Sequence, residues 1–407
     1  MHKKMSCFTQ RRATDAEMTE FHSEDYIEFL KRVTPDNARA FSKFLSRFSV
    51  GNNGDCPIFE GLYDFCRLSA GGSIEASRKL CSGSDIAINW SGGLHHAKKF
   101  EASGFCYVND IVLGILQLLR IYPRVVYIDI DVHHGDGVQE AFYQSDRVMT
   151  VSFHSYDGNF FPGTGSIDET GIRKGKRYAV NVPLQPKIDD VSYAYIFESV
   201  MQNVMEKFQP SAIVLQCGAD SLAGDRLGSF NLSVKGHGAC AAFMKKFKLP
   251  MLVVGGGGYT IRNVARAWTY ETSICTNTDL PDELPLNPYY AHFGPDFRLH
   301  SNGVDRNAHD ENTRQYLDSV RQYIAENLRD LEGAPSVAMN EIPPDINGFN
   351  AETGAWELDD MDDNNPEMRV DQGKFEFGAA GRLRREKDLQ EFDDREMYDG
   401  DEDQDHE

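Results

Sequence analysis

The chain has 407 residues, 41% of them apolar and 11% aromatic, which suits one large domain with a tail or two domains and argues against wholesale disorder. Its net charge of −21 is uneven, because residues 351–407 carry 21 acidic and 7 basic side chains and leave 42 against 35 on the rest. A body of that sign disfavours direct sequence-specific DNA binding, since phosphate contacts need a basic surface, and a basic polypeptide is the better-matched partner.

The longest apolar stretch, 111–121, is interrupted by Gln117 and Arg120 and is far short of the ~20 residues of a membrane span. No membrane partner is therefore expected. No apolar run follows the charged N-terminus, so no signal peptide is read. The eight cysteines are scattered without a C-x-x-C pair, which suits a reducing compartment and argues against a thiolate zinc finger.

In chain order, apolar β-branched runs predict strands at Asp85–Trp90, Val125–Val132, Val148–His154, Ala212–Gly218 and Met251–Val254. Helical spacing predicts helices over Gly104–Ile121, Asp190–Phe208, Lys235–Phe247 and Ile261–Ser273. Strands alternating with helices define the α/β class, an open and mostly parallel sheet with helices on both faces, three layers α/β/α. Beyond about Pro343 the apolar density falls. The sequence divides into a body, 1–342, and an acidic tail, 343–407, expected to be disordered and dispensable for chemistry, with a short helix around Leu383–Met397 as an option.

Parallel sheets bind ligands beyond the carboxyl ends of their strands. The residues there are His95 and His96, then Asp129, Asp131, His133, His134 and Asp136, then Ser152 and His154, then Asp220, and last Gly255–Gly258 followed by Tyr259. Asp131 and His133 are two apart on a strand, point the same way and can grip one ion, with Asp220 as a third ligand from a neighbouring strand end. Two carboxylates and one imidazole suit Zn²⁺ with an open position for water, and Fe²⁺ or Co²⁺ also fits. The competing reading is a set of surface carboxylates at a strand end. His95-His96 reads either as an acid/base pair or as a fortuitous neighbour pair. The glycine run fails the dinucleotide pattern at Thr260, and neither H-E-x-x-H nor G-x-S-x-G occurs. His22 and His237 read as structural or surface residues, and Cys106, Cys217 and Cys240 as small core residues.

These segments resemble the class I zinc-dependent histone deacetylases of the arginase/deacetylase fold. The matching stretches are Gly92–Lys99, Ser103–Asp110, Tyr127–Gly137, Phe160–Gly165, Gln216–Ser221 and Gly255–Tyr259, within a resemblance covering about Met1–Ile342. It implies zinc on Asp131, His133 and Asp220, His95 paired with Asp129, His96 paired with Asp136, and Tyr259 facing the metal across the substrate carbonyl. Gly104, Phe105, Phe161 and Leu227 would line a channel for acetyl-lysine, with Asp55 at the rim. Structural K⁺ or Na⁺ ions would sit at Asp129, Ser152, Phe153 and the carbonyls of Asp131 and His133, and near Phe142, Ser145, Val148 and Tyr178. Arg226 and Arg262 match positions that hold an inositol polyphosphate in corepressor-bound members.

The implied activity is hydrolysis of N6-acetyl-lysine on histone tails and other proteins, in the nucleus with the cytoplasm as a second compartment, within a corepressor complex of the nuclear-corepressor-associated branch. His96 is the expected general base, and Tyr259 O–H the oxyanion donor beside the metal. An acetylpolyamine amidohydrolase, a two-Mn²⁺ ureohydrolase and a catalytically weak corepressor scaffold are the alternatives. One departure stands out: the family's first strand and a loop beside the channel have no counterpart in this sequence. Apolar surface left uncovered costs ~25 cal/mol per Å², so lower stability and weaker metal binding are expected.

Overall fold

The computed structural model describes residues 1–51, 55–301 and 303–331, and two short strands at 349–350 and 355–356. In chain order the helices and strands are α1 (Asp15–Met18), α2 (Glu24–Arg32), α3 (Ser42–Arg47), α4 (Leu62–Cys81), β1 (Ile86–Asn89), α5 (Asp110–Leu118), β2 (Val125–Asp129), α6 (Asp136–Phe142), β3 (Val148–Ser155), β4 (Ala179–Leu184), α7 (Asp190–Phe208), β5 (Ala212–Gln216), α8 (Val234–Lys245), β6 (Met251–Val254), α9 (Ile261–Cys275) and α10 (Arg314–Arg329). The chain divides into two compact units, residues 1–38 with 43–333, and residues 39–42 with 334–407.

The first unit is built on one parallel sheet, six strands among the described residues, in the order β1-β6-β5-β2-β3-β4. Alternate residues of each strand feed opposite faces. Val126, Ile128, Val151, Phe153, Ile213 and Leu215 pack with apolar residues of α7, α8 and α10. Val125, Tyr127, Val214, Leu252 and Val254 pack with those of α4, α5 and α6. Burial on both faces is why the inner strands read as continuous apolar runs, and the three-layer α/β/α expectation matches this arrangement.

Differences from the expected elements have local causes. The helix expected from Gly104 begins only at Asp110, because Gly104 and Phe105 take positive φ (49° and 66°) and the Asn109 side chain caps the backbone N–H of Val112. Strand β4 went unpredicted because Asn181 and Pro183 break its pattern. As an edge strand it tolerates the proline. Helix α4 was missed because its middle, Ser69–Ser73, is small and polar rather than apolar. The small residues serve close packing: a Cβ on Gly71 would lie 2.0 Å from the Arg11 carbonyl oxygen, and one on Gly72 would lie 2.7 Å from the Asn89 amide.

In the second unit Phe349–Asn350 and Ala355–Trp356 form an antiparallel pair. The remainder of the expected acidic tail, including the segment around Leu383–Met397, lies outside the described residues.

Gly71→Ala should overpack the contact between α4 and the N-terminal segment. Thermal unfolding is expected to show a loss of ~1–3 kcal/mol, with metal content of the folded protein unchanged.

Candidate active site

Strand β2 ends at Asp129, and the chain runs on through Ile130 and bends at Asp131–His133. Ile130 and Val132 turn into the core, while Asp131 and His133 turn the other way. Backbone bonds from Ile130 N–H to the Gln216 carbonyl and from Ser155 N–H to the Val132 carbonyl hold this segment between its neighbours. Asp220 sits in a single 3-10 turn, Ala219–Ser221, just beyond β5. Asp131, His133 and Asp220 are all buried, with ligand atoms within 4.8 Å of one another. His133 Nδ1 lies 3.0 Å from Asp131 Oδ1 and 3.1 Å from Asp220 Oδ2.

The electrostatics fit a cation at the centre of these atoms. Burial, then the charge of Asp131, pushes the Asp220 carboxyl up to about 7. Burial disfavours the Asp131 charge too, but His95 and His133 outweigh it and hold this carboxyl well below the usual range. Burial opposes charge on His133, and hydrogen bonds to Asp131 and Asp220 reverse that, pushing it up to about 10. A proton on the imidazole thus stands where a divalent ion would satisfy both carboxylates. Asp131 Oδ2 is fixed from behind by Gln216 Nε2 at 3.0 Å and by the Gly257 N–H at 2.9 Å. Among the described residues this trio is the single cluster with such convergent ligand atoms.

Beside it stand two buried His–Asp pairs, His95 Nδ1 to Asp129 Oδ2 at 2.7 Å and His96 Nδ1 to Asp136 Oδ1 at 2.7 Å. Their imidazole centroids are 3.9 Å apart. Burial works against charge on both rings. For His95 the Asp129 and Asp131 carboxylates prevail and push it up to about 9, whereas the positive His95 adds to burial and brings His96 down to about 4. The two rings are thus shifted in opposite directions, and each is paired with its own buried carboxylate.

Tyr259 follows glycines that allow no side chain: a Cβ on Gly257 would lie 2.1 Å from Asp220 Oδ2, and one on Gly256 2.2 Å from Gln216 Nε2. Its phenol is half-buried, and burial together with the Asp131 and Asp220 charges raises its pKa. Phe105 lies edge-on to Tyr259 at 5.8 Å. Phe161 lies edge-on to His96 at 5.0 Å, and a Cβ on Gly104 would meet both His96 and Phe161 within 3 Å. Phe105, Phe161 and Leu227 are each at least 40% exposed, large apolar side chains kept at the surface. Asp55 is exposed, and its neighbour Cys56 directs its thiol at the Cys106 carbonyl next to Phe105.

Ser152 lies beside Asp129 in the β2–β3 register, with Phe153 buried next to it. Phe142, Ser145, Val148 and Tyr178 lie toward the other end of β3, where the Ser145 N–H donates to the Phe142 carbonyl. Arg226 and Arg262 are both exposed.

Sequence reasoning overlooked several supporting residues. Tyr127 donates to Asp129 Oδ2 at 2.5 Å, and its position two residues upstream on the same strand face was a usable signal. Gln216, one polar residue ending an apolar run, was another. Lys98, 2.6 Å from Asp136 and 3.2 Å from Glu140, carried no signal. His237 is structural and fully buried, paired with Glu271 and 2.9 Å from the Gly218 carbonyl, just ahead of Asp220. Cys106, Cys217 and Cys240 are buried, and burial raises all three thiols.

Sheet and site together place an Asp–His–Asp cluster that could hold a metal ion, and two buried His–Asp pairs beside it, in an α/β protein. The family described as the histone deacetylase domain matches residues 1–275. Human histone deacetylase 1 is 59% identical over 346 residues, 85% of this chain and 71% of that protein. The Drosophila melanogaster histone deacetylase HDAC1 is 56% identical over 372 residues, 91% of this chain and 70% of that protein. A Dictyostelium discoideum type-1 histone deacetylase 1 is 54% identical over 371 residues, 91% and 72% respectively. The chain belongs to the histone deacetylase family, in its class I branch.

Metal analysis of the purified protein should find about one divalent ion per chain, as in open three-ligand sites. His133→Ala should lose it, while Tyr259→Phe should retain it.

Proposed function

We propose that this chain hydrolyses the N6-acetyl-lysine amide of histone tails and other proteins, as the enzymatic subunit of a transcriptional corepressor complex. The observation that supports this reading is a buried Asp–His–Asp trio and two His–Asp pairs, with the exposed rings of Phe161 edge-on to His96 and of Phe105 edge-on to Tyr259; Leu227 would join them at an apolar rim. An apolar aperture favours a neutral, flat acetyl-lysine stem over a charged lysine, whose desolvation is costly. Asp55, which is exposed, would accept hydrogen bonds from substrate backbone.

Asp131, His133 and Asp220 would hold Zn²⁺, with Fe²⁺ as the other candidate. Bound there, the ion supplies Lewis-acid polarisation of the amide carbonyl and acidification of water. The remaining steps fall to the chain's own side chains. His96, neutral and with Nδ1 turned to Asp136, offers Nε2 as the proton acceptor for the attacking water. His95, held charged by Asp129, stabilises negative charge as it develops. One of these rings then returns a proton to the departing lysine amine, which is a very poor leaving group as an anion. The Tyr259 O–H, kept protonated by its raised pKa, donates to the oxyanion.

Further assignments are proposals of the same reading. K⁺ or Na⁺ would occupy the Asp129–Ser152–Phe153 and Phe142–Ser145–Val148–Tyr178 positions, and an inositol polyphosphate the exposed Arg226 and Arg262. The catalytic body would be residues 1–342 and the acidic tail 343–407. The nucleus is the proposed compartment, with the cytoplasm second. A two-metal ureohydrolase fits less well, since His134, the residue after His133, turns its ring nitrogens to Thr164 and Gln139 instead of a second ion.

The test is turnover of an acetyl-lysine histone peptide beside an acetylpolyamine. Peptide should be the preferred substrate, and Tyr259→Phe should lower kcat by ~10²-fold or more. Preference for acetylpolyamine would move the assignment to that amidohydrolase class, and no turnover of either by metal-loaded protein would favour a scaffold. Removing residues 351–407 should leave peptide turnover nearly unchanged, read by the same assay.

A further inference from the structure

Tyr259 sits on a loop of four consecutive glycines, with Gly256 at φ 155° and Gly258 at φ 136°. Such a loop has wide conformational freedom, so something outside it must fix the phenol. Asp131 holds the Gly257 N–H, and the contact on the Tyr259 and Thr260 backbone is a second carboxylate. Asp225 Oδ2 accepts the backbone N–H of Tyr259 at 2.7 Å and that of Thr260 at 3.0 Å, while Oδ1 accepts the backbone N–H of Leu227 at 3.0 Å. Thr260 in turn donates its hydroxyl to the Gly224 carbonyl at 2.9 Å. Thr260 precedes α9 and makes no side-chain cap of its own, so Asp225 also places a negative charge at the start of that helix.

We propose that Asp225 is the positioning residue of this site, one carboxylate that fixes both the oxyanion donor Tyr259 and the channel-wall residue Leu227. The proposal rests on the deacetylase reading of Tyr259 and Leu227 given above. Asp225 touches none of the three metal ligands through its side-chain bonds, so its effect is separable from metal binding. Its two oxygens have distinct duties, Oδ2 toward the tyrosine loop and Oδ1 toward the channel wall. Substitutions can therefore divide them. Asp225→Ala removes both. Asp225→Asn keeps one acceptor oxygen for the Tyr259 and Thr260 amides and turns an NH₂ toward the Leu227 N–H.

The experiment compares Asp225→Ala, Asp225→Asn, Tyr259→Phe and the Asp225→Ala/Tyr259→Phe double variant, each loaded with Zn²⁺, on an acetyl-lysine peptide, with backbone amide exchange of residues 256–264 measured in parallel. Misplacing a reacting group by about 1 Å costs on the order of 10²-fold, so Asp225→Ala should lower kcat toward the Tyr259→Phe value at unchanged metal content. The Tyr259 and Thr260 amides should exchange faster in it. Asp225→Asn should instead raise KM and alter preference among acyl chain lengths, with kcat less affected. Because Asp225 acts through Tyr259, the double variant should be no slower than Tyr259→Phe alone. A normal kcat in Asp225→Ala beside a slow Tyr259→Phe overturns the proposal, as does a double variant in which the two losses multiply. Wild-type kcat in Tyr259→Phe would overturn the role of Tyr259 itself, whereas unchanged amide exchange in Asp225→Ala would overturn the positioning role of Asp225 independently of any activity.

Discussion

Two carboxylates of like charge, Asp131 and Asp220, are held together out of water at the end of a parallel sheet, and much of the surrounding structure answers to that arrangement. An unpaired buried charge is among the most costly features a protein can carry. Here the cost is met from three sides. His133 lies between the carboxylates and is driven to hold a proton when nothing else does. Gln216 Nε2 and the Gly257 N–H donate to Asp131 from behind. A divalent cation at the centre would complete the set. His95 and His96 beside them are themselves backed by buried Asp129 and Asp136, so the carboxylate density of the site extends one layer further and is balanced there by Tyr127 and Lys98.

The glycines follow from the same crowding. Gly218 would place a Cβ 2.0 Å from Asp131 Oδ2, and Gly257 would place one 2.1 Å from Asp220 Oδ2. Backbone therefore approaches the carboxylates where side chains cannot, and loops made of glycine need to be fixed by residues outside them. His237, paired with Glu271 between α8 and α9, holds the Gly218 carbonyl below the site. Asp225 holds the tyrosine loop above it. A residue of a packed helix and a residue of a connecting loop thus each hold a strand-end loop through hydrogen bonds.

The sheet was legible in the sequence because its inner strands are buried on both faces and carry continuous apolar runs, as in 125–128 and 212–215. The metal trio was legible because Asp131 and His133 have period-two spacing and Asp220 ends another such run. The His–Asp pairing was readable only through family resemblance, since residues 34 and 40 positions apart carry no local sign of contact. Helix α4 escaped because close packing selected glycine, serine and alanine over an apolar stripe. Strand β4 escaped because its edge position permits Asn181 and Pro183. Asp225 escaped because its partners are backbone N–H groups, which every residue offers.

The most direct measurement is the thermal unfolding midpoint of wild type and Asp220→Asn near pH 8, each chelated and each with one equivalent of Zn²⁺. Asp220 has its carboxyl raised by burial and by Asp131. For a carboxyl raised in the fold, the charged form costs stability above the folded pKa, so without metal the asparagine variant should melt no lower than wild type. Zinc should raise the wild-type midpoint and leave the variant nearly unmoved. A wild type indifferent to zinc, or a metal-free variant clearly less stable than metal-free wild type, would contradict the claim that the site is a stressed pair of carboxylates awaiting a cation.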